Sequence, residues 1–401
     1  MTADQVGIVG VVGAGTMGAG IAQLALEAGH EVFLHDVDEA AIDRGRDLLR
    51  EGLTRRATRL ELDGDSIEEW VAGRMAGLRD AYTLDAVGAE AEIVIEAALE
   101  DLGLKQAIFR ALDAAAPPDV ILATNTSALS VGAIARAAAL PERVIGLHFF
   151  NPAPIMPLVE VIVPVEASPS VAQRATTLVE HWGKTADRSA DSPGFIVNRV
   201  NRPFTLEALA MIEAGEASVE GIDRALRAAG FPMGPFELMD LVGIDVNLAA
   251  ATGIWDGFEH DQRFLPSATQ ERLVADGHLG RKSGSGFYRY QDGGRGRVEF
   301  QFAGMGSTLD DDAVAERIIL AVVAEAWRAF GDDVAGASEI DLALRLGAGH
   351  PSGPFERTTE MGGPAAVLAI LDRLLRHGSR FEPPARLVAE AAAPTGPTIG
   401  R

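Results

Sequence analysis

Two residues on successive apolar segments have the types and spacing for proton transfer. His148 nearly closes the run Val144-Ile145-Gly146-Leu147-His148-Phe149, and Asn151-Pro152 turns the chain at once. The next segment, Leu158-Val159-Glu160-Val161-Ile162-Val163, sets one carboxylate among apolar side chains. A carboxylate taken out of water is costly unless it is paired, so Glu160 needs a partner, and His148 is the best candidate. A carboxylate behind an imidazole fixes its tautomer and stabilises the imidazolium formed when it accepts a proton. That pair would make His148 a general base. Spacing alone leaves a second reading open, a satisfied core histidine beside an edge-strand glutamate.

A second constellation lies near the start, where an apolar run leads into Gly13-Ala14-Gly15-Thr16-Met17-Gly18 and a helical segment follows. Asp36, 23 residues past Gly13, ends the next apolar run. Strand, glycine turn, helix and distal acid together suit a dinucleotide. Gly13 permits the turn, Gly15 lets the backbone approach a pyrophosphate, and Gly18 lets helix pack on strand. The helix N-terminus offers N–H groups to phosphate. Asp36 would accept from ribose hydroxyls and repel a 2′-phosphate, which favours NAD over NADP. The alternative is a βαβ turn with a structural role only.

These residues must be carried by a sheet. The first 190 residues alternate short β-type runs (Val6–Val12, Val32–Asp36, Glu92–Glu96, Val120–Ala123, Val144–Phe149, Leu158–Val163) with helical segments at Met17–Ala28, Ala40–Arg59, Leu104–Ala115, Val131–Ala138 and Val171–Trp182. This is the pattern of an α/β, doubly wound, Rossmann-type domain. After Asp191-Ser192-Pro193-Gly194 the strand signals stop and alanine-rich helical periodicity takes over. Glu207-Ala208, Ile222-Asp223 and Gly234-Pro235-Phe236-Glu237 recur as Glu325-Ala326, Ile340-Asp341 and Gly353-Pro354-Phe355-Glu356, at offsets of 118, 118 and 119. Two related all-α units follow the sheet. The expected organisation is a dinucleotide domain over 1–190, a first helical copy over 191–300 and a second over 301–401. A glycine-rich stretch around Asp292–Gly306 joins the copies, and a frayed tail starts at Ala391.

Composition excludes several classes. The net charge of −23 argues against nucleic acid as a partner. The absence of cysteine excludes disulfides, thiolate metal sites and a cysteine nucleophile. No basic leader and no run of membrane-spanning length appear, so a cytoplasmic location is expected. One segment departs from the acidic trend: Arg44, Arg46, Arg50, Arg55, Arg56 and Arg59 face only Asp43, Asp47 and Glu51. It is either a solvated helix face with i,i+4 pairs or a landing site for a polyanionic small molecule. Only Lys105, Lys184 and Lys282 are lysines among 35 basic residues.

With these blocks assembled, the chain resembles the L-3-hydroxyacyl-CoA dehydrogenase family from residue 5 to about 290. The carriers are Gly13 through Ala22, Ala123-Thr124-Asn125-Thr126-Ser127, His148-Phe149-Phe150-Asn151-Pro152-Ala153-Pro154, the segment with Glu160, and Asp191 through Arg199. Residues 313 to about 375 resemble the family's C-terminal helical domain a second time, an arrangement similar to duplicated bacterial members. The resemblance implies NAD-dependent oxidation of (S)-3-hydroxyacyl-CoA to 3-oxoacyl-CoA, as in fatty acid β-oxidation, with 3-hydroxybutyryl-, longer acyl- and 3-hydroxyadipyl-CoA all open as substrates.

The resemblance also implies roles. His148 removes the 3-hydroxyl proton, Glu160 supports it, Ser127 bonds substrate beside the nicotinamide, and Asn198 holds the reacting oxygen or the thioester carbonyl. Local readings remain for Ser127 as a helix cap and Asn198 as a packing amide. Glu100, Lys105, Asn151 and Lys282 match positions that contact NAD, although Lys105 could instead pair with Asp101 on a helix surface. The arginine-rich helix falls where the family binds the CoA nucleotide. An ungapped count puts the family's serine and lysine contacts there on Gly52 and Arg59, with Arg55, Arg56 and Arg59 as the CoA candidates. The second copy carries Glu316-Arg317 where the first has Asn198-Arg199, so it is expected to be non-catalytic. It would replace a dimer partner, making a monomer with an internal pseudo-dimer, or a homodimer built on other surfaces. A sugar-acid dehydrogenase of the L-gulonate type and a non-catalytic crystallin-like binder are the competing readings.

Overall fold

The structure, a computed structural model, describes residues 7–291, 294–302, 304 and 306–393. The chain divides into two compact units, 1–192 and 193–401. Val6, Asp292 and the tail beyond residue 393 lie outside the described residues.

The first unit runs β1 (Ile8–Val12), α1 (Thr16–Glu27), β2 (Glu31–His35), α2 (Glu39–Arg59), α3 (Gly64–Met75), β3 (Leu78–Asp80), α4 (Leu84–Glu90), β4 (Ile93–Glu96), α5 (Leu102–Ala115), β5 (Ile121–Thr124), α6 (Val131–Ala135), β6 (Val144–Phe149), β7 (Leu158–Val163), α7 (Pro169–His181) and β8 (Thr185–Ala190). The sheet order is β3-β2-β1-β4-β5-β6-β7-β8. All neighbours are parallel except β6 and β7. β4, β5 and β6 are buried along their whole length, which is why their sequences run apolar without alternation. The order reverses between β1 and β4, and ligands of open α/β sheets bind beyond the strand ends at such a switch.

Four further elements complete this unit and were not expected from sequence. β8 is Thr-Ala-Asp-Arg-Ser-Ala, held by full-length pairing with β7. α3 and α4 open on caps, Asp63 accepting from Ser66 N and Thr83 from Ala86 N, and α3 packs Ile67, Trp70, Val71 and Met75 against the core. β3 is a short edge strand.

The second unit runs α8 (Val197–Val200), α9 (Arg202–Glu213), α10 (Val219–Ala228), α11 (Pro235–Val242), α12 (Ile244–Gly257), α13 (Ala268–Ala275), β9 (Tyr288–Gln291), β10 (Gly294–Val298), α14 (Asp311–Gly331), α15 (Ala337–Ala348), α16 (Pro354–Glu360), α17 (Pro364–Leu374) and α18 (Ala385–Ala392). Strand signals therefore do not stop at residue 191. Part of the expected linker is the antiparallel β9–β10 hairpin. Its tyrosines anchor it inward, Tyr288 donating to Asp223 (2.7 Å) and Tyr290 to Asp240 (3.0 Å). The tail expected from Ala391 begins inside α18.

The repeated Asp…Gly-Pro-Phe-Glu block is a helix start built twice. Asp223 accepts from Phe236 N at 3.0 Å and Asp341 from Phe355 N at 2.7 Å. A Cβ on Gly234 or Gly353 would collide with that aspartate. Proline takes the first helical position, where no N–H is missed, and Glu237 and Glu356 reach back to the glycine N–H.

The two copies also meet reciprocally. Arg199 of the first pairs with Glu325 of the second at 2.9 Å, and Arg317, its counterpart, pairs with Glu207 at 2.6 Å. Arg263 reaches Glu325 at 3.3 Å and its counterpart Arg380 reaches Glu207 at 2.6 Å. Such exchange marks an isologous two-fold contact, here within one chain. It explains why the helical copies form one compact unit. Glu207 and Glu325 are fully buried, so removing one strands the arginines around it. Glu325→Gln is expected to lower unfolding free energy by about 3–5 kcal/mol, measured by urea denaturation. An unchanged midpoint would show that the reciprocal pairs do not hold the copies together.

Candidate active site

The glycine turn is shaped from both sides. Gly13 has φ +98°, and a side chain there would strike the Ala97 backbone. A Cβ on Gly18 would collide with the Gly13 carbonyl, whereas one on Gly15 meets nothing within 4 Å. The first two glycine constraints are internal to the fold; the third residue faces open ground. Gly15 and Thr16 are exposed and Met17 is half-buried. Helices α2 to α7 each begin with a side chain accepting from their first turn, while α1 has none. Its first-turn amides point at the ground above Gly15, as a pyrophosphate requires. Asp36 lies just past β2, its Oδ2 accepting from Ala14 N at 2.7 Å and its Oδ1 from Val37 N at 2.6 Å. Those bonds hold the carboxylate beside the turn, where a ribose diol can reach it. The residues fit NAD.

Antiparallel pairing puts His148 of β6 opposite Glu160 of β7. The Nδ1–Oε2 distance is 2.7 Å, with the histidine 6% exposed and the glutamate 0%. The carboxylate can only accept, so Nδ1 carries the proton and Nε2 is the basic position. Asn125, beyond β5, accepts from Phe149 N at 2.9 Å and ties down the backbone beside the histidine. Phe150 lies 4.5 Å from the imidazole, ring centre to ring centre. Asn151 is exposed on the turn that leaves β6.

Ser127 belongs to a larger network. Glu100 accepts from Thr126 Oγ1 (2.6 Å), Ser127 N (2.8 Å) and Ala128 N (3.1 Å), with Ser127 Oγ at 3.3 Å. Lys105 is buried, 2.7 Å from Glu96 and 3.4 Å from Glu100. The surface pairing of Lys105 with Asp101 is not what forms: Asp101 caps α5 instead, accepting from Leu104 N. Burial works to raise the Glu100 carboxyl, but the Thr126 hydroxyl, the Lys105 charge and the Ser127 and Ala128 amides outweigh it and hold it low. Ser127 does not cap α6, since Ser130 does.

Sequence reasoning missed Glu96. It is a carboxylate ending an apolar strand, the very signal that singled out Glu160, and its partners are Lys105, Thr124 and Ala98 N.

In α2 the arginines divide. Arg46 is tied to Asp80, and Arg56 bonds Glu27 at 3.3 Å. Arg55 makes a long i,i+4 contact with Glu51, and Arg55, Arg56 and Arg59 are all exposed. Gly52 is buried, and a side chain there would strike Gln23 of α1. Helix packing, not ligand binding, explains the glycine. In the second unit Asn198 sits half-buried in α8 and Lys282 pairs with Asp245 at 2.6 Å. Among the described residues no group of acidic or imidazole side chains could hold a metal, and no single helix is long and apolar enough to cross a membrane.

A sheet with this switch point, glycine turn and histidine–carboxylate pair defines an NAD-dependent dehydrogenase. The NAD-binding domain profile of 3-hydroxyacyl-CoA dehydrogenase matches residues 8–191, and its C-terminal domain profile matches twice, over 194–290 and 314–390. The chain belongs to the 3-hydroxyacyl-CoA dehydrogenase family. It is 46% identical over 284 residues to a 3-hydroxyadipyl-CoA dehydrogenase of Escherichia coli, covering 71% of this chain and 59% of that one. A 3-hydroxybutyryl-CoA dehydrogenase of Mycobacterium tuberculosis is 39% identical, over 72% of this chain and 99% of its own. A crystal structure of an Escherichia coli 3-hydroxybutyryl-CoA dehydrogenase superposes with TM-score 0.87 at 34% identity, covering 96% of this chain and 98% of the other.

The glycines give a paired test of the NAD cradle. Gly18→Ala forces an overlap inside the fold and should cost about 1–3 kcal/mol of stability. Gly15→Val, with open space around it, should keep the wild-type melting temperature yet weaken NADH binding at least about tenfold, or 1.4 kcal/mol. Thermal unfolding and NADH fluorescence titration read the two. Undiminished NADH affinity in Gly15→Val would remove the pyrophosphate from that position.

Proposed function

We propose that this chain oxidises (S)-3-hydroxyacyl-CoA thioesters to 3-oxoacyl-CoA, with His148 as the general base. The observation that carries this reading is the buried 2.7 Å His148–Glu160 pair on adjacent strand ends. NAD, when bound, supplies the hydride acceptor. His148 takes the 3-hydroxyl proton at Nε2, and Glu160, already bonded to Nδ1, stabilises the imidazolium that results. Ser127, whose loop Glu100 positions, hydrogen-bonds to the substrate, and Asn198 holds the thioester carbonyl or the reacting oxygen. Glu100, Asn151 and Lys282 contribute to NAD binding, Lys105 through Glu100. Arg55, Arg56 and Arg59 offer exposed positive charge to the phosphates of CoA.

The second helical copy is read as non-catalytic. The reciprocal arginine–glutamate pairs support the idea that it stands in for the partner helical domain of a dimer. Neither nucleic acid nor a membrane has a part in this reading, and the expected location is the cytoplasm.

His148→Gln should lower turnover by about 10²–10⁴ while NADH still binds, followed by NADH absorbance with 3-hydroxybutyryl-CoA. Turnover within a few-fold of wild type would end the assignment. Light scattering of the whole chain should give the 42.2 kDa monomer, or a dimer built on surfaces other than the contact between the helical copies. A chain cut near Gly304 that remained a stable, active monomer would end the pseudo-dimer reading.

A further inference from the structure

Arg202 opens α9, four residues after Asn198, and is 6% exposed. Its Nε finds no hydrogen-bond partner among the described residues. Its remaining contacts are long ones from Nη1 to Asn247, 3.3 Å to Oδ1 and 3.5 Å to the carbonyl oxygen. No carboxylate pairs with it among the described residues, and burial alone pulls the guanidinium down to about 10. Every other buried arginine of this unit with a comparable position, Arg199 and Arg317, holds a glutamate. A desolvated cation without a counter-ion is expensive, so its retention needs a reason.

The repeat supplies a control within the same molecule. Arg202 corresponds to Leu320 in the second copy. Gln270, which holds Asn247 through a 2.8 Å bond, is the third residue of α13, and Leu387 is the third residue of α18, its counterpart in the second copy. Leu320 and Leu387 are fully buried. The fold is therefore content with an apolar set at these places. The polar set Arg202–Asn247–Gln270 occurs only in the copy that also carries Asn198. Asn247 is half-buried, and Leu241, Val242 and Val246 on the same stretch of chain are exposed. Exposed apolar side chains on the stretch of chain that also meets a buried cation suit an apolar chain that ends in negative charge.

We propose that Arg202 receives the distal carboxylate of a dicarboxylic acid bound as its CoA monothioester. This makes it a specificity-determining residue, oriented by Asn247 and Gln270. Arg202 lies four residues beyond Asn198, across the Asn201 junction of α8 and α9, close enough in the chain for both to meet one short acyl group. The proposal rests on the acyl-CoA reading of the site and names the class of acyl group.

The test compares (S)-3-hydroxyadipyl-CoA with (S)-3-hydroxyhexanoyl-CoA, chains of equal length of which only the first ends in a carboxylate. The wild type should prefer the dicarboxylate by about 10²–10³ in kcat/KM. Arg202→Leu, which installs the second copy's residue, should abolish most of that preference and leave the hexanoyl rate nearly as it was. Arg202→Lys should restore part of it. NADH titration and thermal unfolding establish that each variant is folded. Equal kcat/KM for the two thioesters in the wild type overturns the proposal without touching the dehydrogenase reading, and so does a Leu variant that slows both alike. If neither thioester is oxidised, the activity reading falls and this one with it.

Discussion

A carboxylate on a strand buried from both faces has no water to turn to, and the site is organised around that fact. Glu160 is fully buried within β7, so its hydrogen bonds must come from the neighbouring strand. Antiparallel pairing with β6 brings His148 directly across. Were β7 parallel to β6, as the earlier neighbours are, the short turn after His148 would not suffice, since parallel strands need a long crossover. The break in strand direction is thus what lets twelve residues of chain hold acid and base face to face. The same physics recurs at Glu96, where Lys105 supplies the charge and Glu100 transmits order to the Ser127 loop.

What was legible in the sequence was what apolar pattern and glycine spacing encode. Strands β1, β2 and β4 to β7 and helices α1, α2 and α5 to α7 followed from continuous apolar runs or helical periodicity. β8 did not, because its stability comes from pairing with β7 and its side chains are polar. The β9–β10 hairpin was hidden in a glycine-rich stretch because its anchors, Asp223 and Asp240, lie far away in the chain.

At the site, the His148–Glu160 pair was legible because a lone acid in an apolar run demands a partner. The same rule applied to Glu96 would have found Lys105. Gly52 was not legible as a packing residue, since only the approach of Gln23 shows why a side chain is excluded. Arg202 was passed over because an arginine opening a helix is ordinary until its surroundings show that nothing answers its charge.

Fusion of the two helical copies changes what substitution can do. In a symmetric dimer each altered residue appears on both sides of the axis, so any cost is incurred twice and both faces must stay self-complementary. Within one polypeptide the halves are free to drift apart. Phe231 and its counterpart His350 now face each other edge to face, 4.9 Å apart, a juxtaposition no pair of identical subunits could present. One half buries Arg202 where the other buries Leu320, a mismatch of charge against hydrocarbon that a symmetric assembly would have had to accommodate in duplicate.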